Sequence, residues 1–81
     1  MNKEVQHFYK ETPNQRAFRL VESGESSTEW VITYTREKIK DAQCKRIRVQ
    51  GSRGVFAIED PTTETCIGFT RDKETPLEQL L

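Results

Sequence analysis

Polar and apolar positions alternate along most of this chain, and a period of two is the mark of half-buried strands. Glu29 to Thr35 is the clearest case, with Trp30, Ile32 and Tyr34 on one side and Val31, Thr33 and Thr35 on the other. β-branched and aromatic residues fill this run, as a pleated surface prefers. Residues 16–22 alternate with Phe18 and Leu20 together. Residues 44–50 set Ile47 and Val49 against Arg46 and Arg48. Val55 to Glu59 is apolar on both sides, the pattern of a central strand. Glu64 to Arg71 completes the set, with Ile67 and Phe69 inward. Turn chemistry separates these runs at Ser23-Gly24-Glu25-Ser26-Ser27, Gly51-Ser52-Arg53-Gly54 and Asp60-Pro61-Thr62-Thr63.

Helical spacing is scarcer. Residues 2–10 bring Val5, Phe8 and Tyr9 to one helical face, with Asn2 as a cap, and Pro13 with Asn14 ends anything helical. Residues 36–43 fit a helical turn by propensity and a charged hairpin tip equally well. Thr75-Pro76-Leu77-Glu78 reads as the capped start of a single turn.

The pattern therefore predicts a mainly β fold, with α+β as the alternative. It would hold about five antiparallel strands in a sheet or small barrel, a short N-terminal helix and a one-turn C-terminal helix. At this length the chain is expected to form one domain over residues 1–81. The predicted core is Phe18, Leu20, Trp30, Ile32, Tyr34, Ile47, Val49, Phe56, Ile58, Ile67 and Phe69. A second face would carry small or β-branched residues (Val21, Val31, Cys44, Val55, Ala57, Cys66, Gly68) rimmed by Arg19, Arg46 and Arg48. Such a face needs a cover: a terminal segment, a partner, or a second copy of the chain giving a homodimer.

Composition narrows the function classes. No stretch approaches the ~20 apolar residues of a membrane-crossing helix. Met1-Asn2-Lys3-Glu4 leads into no apolar run, so no secretory signal is expected. Two cysteines are too few for a disulfide scaffold, which favours a reducing, cytoplasmic setting. In a sequential meander, Cys44 and Cys66 would lie two strand spacings apart, about 10 Å, and stay free thiols. The formal net charge is +0, yet residues 36–53 alone carry +5 against −1 before and −4 after them. Zero net charge argues against a general nucleic-acid coat, while a local basic segment permits a specific anionic contact.

Catalytic and metal chemistry finds no footing in the pattern. His7 is the single histidine, and nothing by spacing orients it toward either cysteine. Zinc needs four closely paired ligands. Asp60, Thr62 and Glu64 alternate like some calcium ligands but lack the glycine and later glutamate of a loop site, so they read as turn residues. Gly51-Ser52-Arg53-Gly54 is flanked by strands, which makes it a hairpin loop instead of a phosphate cradle. Leu77, Leu80 and Leu81 fit a short docking-peptide pattern, but in a domain this small they are expected to pack on their own sheet.

No enzyme activity, cofactor or metal is expected. The expected function is a small protein-interaction module, a regulator or inhibitor, which binds another protein with an acidic surface. Its expected contact residues are Arg46, Arg48, Arg53, Lys45 and Arg19. The alternative is an RNA- or single-stranded-DNA-binding domain using residues 36–53. An exposed aromatic beside the arginines would favour that alternative, because bases stack on aromatic faces.

Overall fold

The computed structural model describes residues 10–81, and the expected helix over residues 2–10, with His7, lies outside them except for Lys10. The elements run α1 (Pro13–Glu22), β1 (Thr28–Trp30), α2 (Arg36–Ala42), β2 (Lys45–Arg48), β3 (Phe56–Asp60) and β4 (Thr65–Thr70). A single 3-10 turn at Leu77–Gln79 follows. The strands form one open antiparallel sheet in the order β1-β4-β3-β2. The fold is therefore α+β with four strands, in place of about five strands or a barrel.

The main departure is α1, where strand alternation was expected. Thr12 accepts a hydrogen bond from the Gln15 amide, while the Gln15 side chain accepts one from the Thr12 amide. This reciprocal cap satisfies two of the orphan donors at a helix start. Pro13 occupies the first turn, where its fixed φ is preorganised and its missing N–H costs nothing. The proline thus starts a helix here instead of ending one. Ala17 and Val21, four apart, are the buried residues of α1.

Residues 36–43 resolve as α2. Thr35 caps the Lys38 amide, and Gln43 closes the helix with a left-handed φ of 54°. The strand expected to reach Thr35 stops at Trp30, beside an irregularity in the β3–β4 register at Ile58/Glu59. Past that point the Ile67 carbonyl accepts from the amides of both Val31 and Ile32, and Ile32 turns out to solvent at 41% exposure.

Both faces of the sheet's central strands are covered. On one, Ala17 and Val21 of α1 pack with Val55 and Phe69, joined by Phe18, Val31, Val49, Ala57 and Cys66. The Phe18 and Phe69 rings meet edge to face at 5.7 Å. On the other, Ile39 of α2 packs with Ile58, Ile67 and Leu77, joined by Trp30, Tyr34, Cys44, Leu80 and Leu81. The tail leucines pack on their own sheet, as expected. The small-residue face carrying Val55, Ala57 and Cys66 is covered from within by α1. Cys44 and Cys66 are free thiols, assigned to opposite faces of the sheet.

Gly68 sets how closely β1 docks on β4. A Cβ there would lie 2.8 Å from the Glu29 carbonyl oxygen and 2.8 Å from the Trp30 ring. Only a bare α-carbon admits that approach.

Two buried or half-buried carboxylates tie loops to the sheet. Asp60, 1% exposed, accepts hydrogen bonds from the Tyr34 hydroxyl, the Thr62 amide and the Thr62 hydroxyl. These donors, the Thr62 hydroxyl foremost, hold its carboxyl down at about 2. Asp72 accepts from the amides of Thr75 and Glu74 and from the Thr75 hydroxyl. Its pKa is lowered as well, chiefly by the Thr75 amide. The Thr75 hydroxyl thus serves Asp72 and does not cap the C-terminal turn.

Candidate functional site

The basic segment folds as α2 followed by β2, and β2 is an edge of the sheet. Which way its side chains point is decided by the loop that follows. A four-residue loop, Gly51–Gly54, would put Arg46 and Arg48 on the face of Val55 and Ala57. The loop has five residues instead, closed by the Val49 amide bonded to the Val55 carbonyl at 3.0 Å. Ser52 staples it from inside, donating to the Val49 carbonyl and accepting from the Val55 amide. Gly51 and Gly54, both at φ 76°, supply the left-handed turns.

One extra loop residue shifts the pairing by one position, and that flips every β2 side chain to the other face. Arg46 stands opposite Ile58 and Arg48 opposite Phe56, while Ile47 stands opposite Ala57 and Lys45 opposite Glu59. Arg46 and Arg48 therefore lie on the face of α2 and the tail. Lys45 and Ile47 lie on the face of α1.

The five expected contact residues separate accordingly. Arg46 is half-buried and committed. It donates to the Asp72 carbonyl at 2.8 Å, to the Thr75 carbonyl, and to the Asp72 carboxylate at 3.2 Å. It clamps the loop that carries the chain from β4 to the tail. Arg48 is exposed, with one long contact of 3.5 Å to the Ser52 carbonyl. Arg53 is exposed in the hairpin loop, and Lys45 is exposed at the opposite end of the strand. Arg19 does not join them. It lies on α1, bound to Glu11 at 2.9 Å and near Glu25 at 3.8 Å. The structure thus leaves Arg48 and Arg53 exposed on β2 and its hairpin, with Arg46 on Arg48's face as a clamp and Lys45 on the opposite face.

Two neighbours were placed wrongly by the sequence pattern. Ile47 was expected in the core but is 43% exposed, because α1 lies over β1 and β4 and stops short of β2. Phe56 was also expected inward. It is half-buried and directly opposite Arg48 on the same face, so the basic edge does have an aromatic beside it. The five-residue loop sets Phe56 opposite Arg48 and turns Ile47 to the α1 face, where the helix does not reach it.

Nucleophilic chemistry has little to draw on. Burial pushes both thiols up from their ordinary value, which disfavours the reactive thiolate. Among the described residues, no group of three His, Cys, Asp or Glu side chains converges on a point where a metal ion would sit. None of the described helices is long and apolar enough to cross a membrane.

Fold and surface together define a small α+β protein whose sheet ends in a short basic edge strand. Set against protein-family models, curated proteins and solved structures, the chain matches none of them.

Proposed function

We propose that this chain is a non-enzymatic protein-interaction module, of the regulator or inhibitor kind, that docks an acidic partner protein on the outer side of β2. The observation that carries the reading is the division of labour among the arginines. Arg46 is held by the fold, whereas Arg48 and Arg53 are exposed on an edge strand and its hairpin, with Ile47 exposed on the strand's other face. Exposed arginine forks suit a specific carboxylate contact. Arg19, spent on Glu11, is left out of the site, and Lys45 forms its rim. The low cysteine content is the ground for placing the chain in a reducing compartment such as the cytoplasm.

The test is Arg48→Glu with Arg53→Glu, both exposed and outside the core. The folded spectrum should survive, and binding to a polyglutamate probe should weaken by an order of magnitude or more. Reversing Arg46 would be uninformative, because it would also release the 72–75 loop.

Phe56 supports a second reading, a single-stranded RNA or DNA site in which a base stacks on the ring beside Arg48. That site would bind a short oligonucleotide with steep salt dependence and lose affinity in Phe56→Ala. The acidic-partner site would discriminate arginine from lysine at position 48, since only the guanidinium forks onto a carboxylate.

A further inference from the structure

We infer that the acidic partner binds as an extended segment that adds to β2 as a fifth strand; this rests on the reading of β2 as the docking edge. The pairing pattern fixes which backbone groups are available. Val49 donates to Val55, so Val49, Ile47 and Lys45 take the hydrogen-bonded positions facing β3. The N–H and C=O groups of Arg46 and Arg48 consequently point away from the sheet. No strand among the described residues lies beyond them. An edge of this kind is a template for another chain.

Charge decides whose strand it is. In a second copy, β2 would set Lys45, Arg46 and Arg48 against the same cations, and like charges directly opposite destabilise a pair. The complementary strand is acidic. Arg48 and Lys45 lie three positions apart and on opposite faces, so they call for carboxylates at the two ends of a four-residue stretch. Arg46 is already neutralised by Asp72 and calls for a neutral polar residue. Ile47, 43% exposed, calls for an apolar one. Running antiparallel, the peptide core that meets these demands is Glu-Val-Thr-Glu.

The experiment uses a synthetic peptide with that core, titrated into the full chain under NMR detection. On binding, the amides of Arg46 and Arg48 should gain protection from hydrogen exchange, and Arg48→Glu should weaken binding tenfold or more. Two N-methylated versions separate strand addition from plain charge attraction. Methylating the amides that face Arg46 and Arg48 should abolish binding, while methylating the two alternate amides should leave it within about threefold. If both methylated peptides bind like the parent, strand addition is wrong and the acidic docking site stands. If no acidic peptide binds while single-stranded RNA does, the strand and the acidic-partner reading fall together.

Discussion

Strands β4 and β2 belong to one sheet and have similar alternation, yet they have opposite fates. Four consecutive residues of β4, Ile67 to Thr70, are buried, because it has a strand on each side and a helical cover on each face. In β2 only Arg46 is even half-buried. Position in the sheet, more than local pattern, decides which apolar side chains leave water. The sheet buries Ile58 and Ile67 in its central strands and carries Lys45 and Arg48 exposed on its edge strand, where a charged head stays hydrated and discourages self-association.

The comparison can be broken most forcefully with isoleucines. Ile58 is fully buried in β3 and Ile47 is its exposed counterpart in β2. Ile58→Ala should cost roughly 2–5 kcal/mol in urea unfolding, through lost burial and a residual cavity. Ile47→Ala should cost less than about 1 kcal/mol. Equal losses would show that α1 or another segment covers β2 in solution.

A smaller effect separates the two arginines. Arg46→Ala removes hydrogen bonds from a charged group to three acceptors and should cost about 1.5–3 kcal/mol. Arg48→Ala should stay within about 0.5 kcal/mol of the parent. The reverse order would dissolve the distinction between a clamp and a docking residue.

The mildest effect is a slope. The carboxyls of Asp60 and Asp72 both sit below the ordinary 3.8, Asp60 at about 2. In that window the unfolded chain binds more protons than the folded one, so stability rises with pH there. What these groups contribute is present above pH 3.8 and fades as pH falls toward 2. Thermal melts between those limits should show the decline, and Asp60→Asn should flatten it.

Much of the sheet was legible from the residues. Strands at β2, β3 and β4, the core roles of Ile58, Ile67 and Phe69, the tail turn without its Thr75 cap, and the free thiols follow from alternation and turn chemistry. What misled was a short-range competition at residues 12–22. Phe18 and Leu20 alternate like a strand, but Thr12-Pro13-Asn14-Gln15 is a complete helix-start signal, and Ala17 with Val21 keeps helical spacing. The cap and the helical stripe won because they also satisfy the backbone locally. The candidate site suffered from a subtler limit. Arg46 and Arg48 share a face as expected, but which face depended on a single loop residue, and Arg46's role depended on Asp72, 26 positions away. Such long-range pairing leaves no periodic trace.

The close approach at Gly68 has an optical consequence. Trp30 is the single tryptophan, and its ring lies over that α-carbon at the β1 margin, across the sheet from β2. Indole emission shifts to longer wavelength on contact with water, so the chain carries its own dye at the seam between β1 and β4. Peeling β1 away would redden the emission. A ligand seated on β2 would leave it unchanged. Fluorescence can therefore tell fraying at one rim of the sheet from occupancy at the other, with no label added.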